Sequence, residues 1–154
     1  MAGDLSKIDL SILHELQGDG RITYSELANK VGLSTSPCIE RVKKLERSGY
    51  ITGYTATLNS ALLDAGLIVF VMIRLDHTSK DNFEEFRQAV RFIPAVQECH
   101  LTTGAFDYLI KARVKDMNEY RILLEENLLA IPHVKESTSI VAMDTVKETL
   151  RLGL

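Results

Sequence analysis

The chain is poor in cysteine, holding only Cys38 and Cys99, which form neither a CxxC pair nor a disulfide framework. A reducing compartment is the expectation. Long hydrophobic runs are missing too. The longest, Gly66 to Ile73, falls far short of the roughly 20 residues that a membrane helix needs. Met1-Ala2-Gly3-Asp4 has no basic region leading into an apolar stretch, so no signal peptide is expected. These absences predict a cytoplasmic protein with no membrane partner. Excess charge is lacking as well: 18 Lys+Arg against 21 Asp+Glu leave a net charge of −3, which offers nucleic acid no global attraction. No glycine-rich phosphate loop, HExxH or G-x-S-x-G occurs. His14, His77 and His133 are scattered without ligand spacing. Cys99 and His100 are strand neighbours that point to opposite faces, so they cannot act together as nucleophile and base. Cys38 and Cys99 read as small core residues. Nothing points to an enzyme, a cofactor or a metal.

What the chain does have is apolar residues, 45% of its 154, in two different rhythms. Up to about Leu58 they recur at helical spacing. Leu5, Ile8, Ile12 and Leu16 share one face of a first helix that stops at Gly18-Asp19-Gly20. Thr23-Tyr24-Ser25-Glu26 is a capping box, in which hydroxyl and carboxylate each satisfy an orphan amide, and it opens a short second helix that ends at Gly32. Ser36-Pro37 predicts the start of a third helix running to Ser48, with Gly49 ending it. Residues 50–58 alternate and carry β-formers, predicting a short strand or wing. Three helices and a wing in this length describe a winged helix-turn-helix, with the small Ala28 where a neighbouring helix must approach.

Regional charge supports a DNA-facing third helix. At about 100° per residue, Cys38, Ile39, Val42 and Leu45 face inward, while Glu40, Lys43, Lys44 and Arg47 lie opposite with Arg41 at the edge. Residues 1–58 hold seven basic and seven acidic side chains, whereas 34–50 hold four against two. Lysine and arginine neutralise phosphates, and arginine can pair with guanine edges. Ser34, Thr35 and Ser36 at the helix start can meet phosphate oxygens. Glu40 can accept from cytosine N4 or pair with Lys44 one turn on.

The second half is an internal repeat. Ile93-Pro94-Ala95-Val96-Gln97-Glu98-Cys99 matches Ile131-Pro132-His133-Val134-Lys135-Glu136-Ser137 at an offset of 38 residues. Each copy reads strand, helix, strand: 67–75, 81–92 and 96–102, then 108–114, 117–130 and 134–143. Two such units predict a ferredoxin-like βαββαβ sandwich, making the whole chain α+β. The expected boundaries are a head over 1–58, a connector over 59–66, the sandwich over 67–145 and a tail over 146–154. The strands alternate less cleanly than a one-sided sheet would. The open sheet face is therefore expected to be covered, most simply by a second copy in a homodimer.

Two function classes follow from these residues. One is a DNA-binding regulator with a sensing domain. The other is a ferredoxin-like small-molecule sensor or metabolic protein whose head binds other proteins, which would call for exposed apolar anchors on the third helix.

The residues Leu33-Ser34-x-Ser36-Pro37-Cys38-Ile39-Glu40-Arg41-Val42-Lys43-Lys44-Leu45-Glu46, followed by Gly53-Tyr54-Thr55-Ala56, resemble the Lrp/AsnC (feast/famine) transcriptional regulators. Gln97-Glu98-Cys99-His100-Leu101, Gly104-x-Phe106-Asp107-Tyr108-Leu109 and Asp116-Met117-x-x-Tyr120 extend the resemblance over nearly the whole chain, nearer the leucine-responsive branch than the asparagine-specific one. The resemblance implies promoter double-stranded DNA as partner, a homodimer assembling to an octamer, and a free L-amino acid as effector: leucine or another aliphatic such as methionine. It places the effector loop over Leu101, Thr103, Gly104, Asp107 and Tyr108, with Met117, Ile140, Val141 and Ala142 as further effector positions. A small residue at Gly104 permits close backbone approach, and the Asp107 carboxylate suits an α-ammonium group. On the residues alone, Gly104 also fits a hairpin turn, and Asp107 the cap of that turn. Ala105 and Ile140 depart from the leucine-responsive pattern, where an acidic residue and a tyrosine stand. The basic arm before the first helix is short here.

Overall fold

The computed structural model describes residues 5–77 and 79–154, so the short N-terminal arm lies outside the described residues. They fall into two compact units, one of residues 5–57 with Lys147–Leu154, the other Leu58–Val146. The connector thus groups with the sheet unit, and the tail groups with the head. Among the described residues no helix is long and apolar enough to cross a membrane.

The head packs three helices, α1 (Lys7–Gly18), α2 (Tyr24–Lys30) and α3 (Thr35–Arg47). Ile12, Leu27, Ala28, Cys38, Val42 and Leu45 form its buried centre, ringed by Leu5, Ile8, Leu13, Leu16, Val31 and Leu33. The Thr23–Glu26 capping box forms as expected. A second one, Ser6–Asp9, opens α1. Gly32 and Gly49 take φ of +70° and +76°. Each stands in a Schellman turn: Leu33 N donates to Ala28 O at 2.9 Å, and Tyr50 N to Leu45 O at 3.0 Å.

Two expectations for the head are corrected. The third helix starts earlier than Ser36-Pro37, with Ser34 as its N-cap. Pro37 then occupies the third helical position, where its missing N–H still costs no helical hydrogen bond. Residues 51–59 form no strand. β-formers need a neighbouring backbone to complete a ladder, and the described residues of one chain supply none to this segment. Tyr54 instead donates its hydroxyl to Glu46 at 2.9 Å, which holds the segment against α3. Burial and then that carboxylate push the phenol up to about 12.

The other unit contains β1 (Leu67–Leu75), α4 (Lys80–Arg91), β2 (Val96–Leu101), β3 (Tyr108–Val114), α5 (Met117–Ile122) and β4 (Val134–Val141). The strands lie in the order β2-β3-β1-β4, antiparallel throughout, which is the ferredoxin-like arrangement that the repeat predicts. The helices cover one face, over Val69, Val71, Ile73, Phe86, Ile110, Ala112 and Leu128. Helix α5 continues as a π-helical turn, Leu123–Leu128, rather than running as α-helix to residue 130. The wider turn lets Leu123 and Leu128, five residues apart, both bury against the sheet. Strand β4 stops at Val141, opposite Val69, and Ala142 N still donates to Ile68 O at 3.0 Å.

Candidate nucleic-acid interface and effector loop

Helix α3 separates its two faces as its sequence requires. Cys38, Val42 and Leu45 are buried. Ser34, Thr35, Ser36, Glu40, Lys43, Lys44 and Arg47 are exposed on the other side. This outer face carries no large exposed apolar side chain, so the anchor that a protein-docking head needs is absent from α3. Glu40 pairs with Lys43, at 3.5 Å, rather than with Lys44. Among the described residues, Lys44 and Arg47 make no ion pair within the chain.

Arg41 stands apart. It is half-buried and bonds Asp9 at 2.8 Å and the Ser6 hydroxyl at 3.4 Å. Burial works against the Asp9 charge, but the Ser6 hydroxyl, Arg41 and the Ser6 amide outweigh it and hold the carboxyl below its usual range. The guanidinium therefore joins α3 to the cap of α1. The Ser6-x-x-Asp9 pattern, a capping box in its aspartate form, was the available sequence signal for this role.

The loop between β2 and β3 is tightly tied. Thr102 N donates to Asp107 O at 2.8 Å, and Thr102 Oγ1 to Phe106 O at 2.9 Å. Gly104 sits at its tip with φ +112°, a backbone state that side chains disfavour. The Asp107 amide donates to Ile73 O at 2.9 Å, and its Oδ2 accepts from Leu75 N at 2.8 Å. The carboxylate thus caps the end of β1, leaving Oδ1 for any further partner. Tyr108 points into the core. It is 2% exposed, stacks on Phe86 at 4.3 Å and donates to Phe83 O at 3.3 Å. It is a wall behind the loop rather than a contact surface.

The remaining effector positions are not gathered in one chain. Leu101 pairs with Tyr108, whose other neighbour is Ile73. Val141 pairs with Val69, which faces Ala112 at the opposite end of the sheet, near Met117. Leu101 and Ile140 lie on opposite edge strands, at least roughly 14 Å apart at three strand spacings. Alternation also divides the last strand: Ile140 joins Phe70 on the open face, while Val141 faces the helices. Leu101, Met117 and Ile140 are nevertheless all about half exposed, at 52%, 53% and 52%.

The open sheet face bears Phe70, Met72, Leu109 and Ile140 as an apolar stripe, with Ile68 on the same face but already buried within the chain. Charges flank it in pairs: Lys111–Glu98 at 3.4 Å and Arg74–Glu136 at 3.2 Å. His100 first, and Lys111 after it, hold the Glu98 carboxyl below its usual range. Cys99 turns to the helix side beside Ile110, and burial pushes its thiol up to about 11, which makes it a poor nucleophile. Among the described residues no group of three metal-ligating side chains occurs.

Comparison with known proteins matches this architecture in both halves. Residues 5–52 match the winged helix-turn-helix DNA-binding model, and residues 68–152 match the Lrp/AsnC ligand binding domain. The chain is 54% identical over 149 residues to the leucine-responsive regulatory proteins of Klebsiella pneumoniae and Escherichia coli K12, covering 97% of this chain and 91% of each relative. A transcriptional regulator from Neisseria meningitidis, solved as a complex with L-Met, superposes with a TM-score of 0.93 at 36% identity, with 97% of both chains covered. An AsnC family transcriptional regulator from Agrobacterium tumefaciens superposes equally well, with a TM-score of 0.93 at 32% identity and the same coverage.

Proposed function

The chain belongs to the Lrp/AsnC family of transcriptional regulators, and on that premise we propose that it reads promoter DNA with α3 and adjusts that binding to a free aliphatic L-amino acid, leucine or methionine. The observation that carries the DNA half is the exposed outer face of α3, where Lys44 and Arg47 make no ion pair among the described residues and three hydroxyl residues stand at the helix start. Cations left without partners on one side of an anchored helix are available to phosphates and base edges. The reading is cytoplasmic.

The effector half rests on the division of the candidate residues. Leu101, Thr103, Gly104 and Asp107 lie at one end of the sheet, and Met117, Ile140, Val141 and Ala142 lie toward the other. A pocket that uses both groups takes one from each of two chains. A homodimer through the open apolar face, with dimers associating further to an octamer, supplies such second chains. An effector bound between subunits then changes how several heads meet DNA, which is coupling through assembly. The Ala105 and Ile140 positions enlarge and depolarise the site relative to the leucine-responsive pattern, which favours a flexible aliphatic ligand such as methionine. Calorimetric titration with each of the twenty amino acids, with oligomer size followed in parallel, tests this. Binding of one aliphatic amino acid together with a change in assembly supports it; no binding by any of the twenty refutes it.

A further inference from the structure

The last eight residues are not part of the unit that they follow. Lys147–Leu154 cluster with the head, so two chain segments join the units: one after Thr57 and one before Lys147. The contacts that hold the tail on the head are specific. The Gln17 carboxamide brackets the backbone of Leu152, with Nε2 donating to Leu152 O at 3.3 Å and Leu152 N donating to Oε1 at 2.6 Å. This is the paired donor and acceptor exchange that one residue makes with a neighbouring strand. Arg151 donates to Gly18 O at 3.3 Å. Gly18 is the last residue of α1, whose carbonyl has no partner within the helix, and α1 has no basic residue in its own last turn. Arg151 supplies the cation that this helix end lacks. Beyond it, Leu154 lines a cleft of about 290 Å³ with Leu10, His14, Glu15, Lys30 and Val31. A Lys30–Glu15 bond of 2.6 Å braces that cleft.

We propose that residues 147–154 are a releasable strap for the head: the chain's own C-terminus seats on the end of α1 and in the cleft beside α2, giving the head two attachments instead of one. The hydrogen bonds of Gln17 and Arg151 that hold it are exposed, and exposed hydrogen bonds are individually weak, so the strap opens and closes rather than staying locked. While closed it removes rotational freedom from the head. The consequence for DNA, which rests on the function proposed above, is that a strapped pair of heads tolerates fewer spacings between two binding sites than an unstrapped pair.

Hydrogen–deuterium exchange on the full-length protein tests the strap itself. The wild-type tail amides are expected to exchange at least about tenfold more slowly than an unstructured peptide, and both Gln17→Ala and Arg151→Ala are expected to remove most of that protection while the centres of α1 and α3 keep theirs. Arg151 lies outside the head core, so its variant reports on the strap even where Gln17→Ala disturbs α1. A wild-type tail that exchanges at the unprotected rate, or protection unchanged in both variants, overturns the proposal. DNA with two sites an integral or a half-integral number of turns apart then tests its role. Wild-type protein is expected to prefer one phase, and Arg151→Ala to bind both within about twofold. An equal phase preference in wild type and variant overturns that role, even where exchange shows the strap.

Discussion

Asp9, in the first turn of α1, and Arg41, in the middle of α3, stand 2.8 Å apart, and the same carboxylate completes the Ser6 capping box. One residue thereby fixes both the start of the first helix and the roll of α3. Arg41 sits among the basic residues of α3, yet its partner lies within the head. Arg41→Ala is expected to destabilise the head by about 1 kcal/mol, the worth of a well-placed, partly buried ion pair. Lys44→Ala on the free face is expected to change stability by less than about 0.5 kcal/mol. Urea denaturation followed by circular dichroism measures both.

The DNA contacts divide the other way. Lys44→Ala and Arg47→Ala are each expected to weaken binding and to lower the slope of log K against log salt by about 1. Anisotropy titrations on a labelled promoter duplex at several salt concentrations read the slope. An unchanged slope in both variants would remove them from the interface.

Acid should loosen the head through Asp9. Its folded-state carboxyl lies below the ordinary 3.8, so its stabilisation is fully present above that value and is lost as the pH falls through the lower, folded one. Glu26 in the second capping box, held low first by the Thr23 hydroxyl, acts in the same direction. Head stability is therefore expected to decline below about pH 4, and Asp9→Asn to flatten that decline. Denaturant midpoints taken across that range check it.

Asp107 allows its two roles to be separated. Its Oδ2 accepts from Leu75 N, and an asparagine keeps an oxygen acceptor while losing the charge. Asp107→Asn is expected to retain stability within about 1 kcal/mol but to lose the amino-acid response, whereas Asp107→Ala should lose both. Normal response in the asparagine variant, measured by calorimetry, would show that the carboxylate only caps the strand.

The open sheet face gives a prediction about assembly. Phe70→Asp places a charge in the middle of the apolar stripe beside Ile140. Sedimentation at micromolar protein should show wild type as a dimer or larger and this variant shifted toward monomer. Monomeric wild type would contradict the proposed subunit pairing.

Much of the fold was legible in the chain because the signals were local or repeated. Thr23 and Glu26 mark α2, Gly32 and Gly49 end helices with positive φ, and the 38-residue offset fixes the strand order once each unit is read as strand, helix, strand. The failures have physical causes. Residues 50–58 carry strand-forming side chains, but a strand also needs a second backbone. Pro37 fits the first helical position and the third equally well, because neither needs a helical N–H bond. Leu123 and Leu128 sit at a spacing that only a π turn reconciles with burial. The α3 face was readable from helical periodicity, but Arg41's commitment to Asp9 depends on how α1 and α3 cross, which periodicity does not encode. The candidate effector residues look like one set in the sequence because resemblance says nothing of which strands lie between Leu101 and Ile140.

In the proposed function, DNA binding by the head answers to a free amino acid. It is tested most directly by measuring affinity for a promoter duplex, at fixed salt, with and without saturating amounts of each amino acid. The account predicts that leucine, methionine or another aliphatic L-amino acid changes the affinity at least about fivefold, the low end of ordinary allosteric coupling, while acidic and basic amino acids leave it unchanged. Tight DNA binding that none of the twenty alters would contradict it.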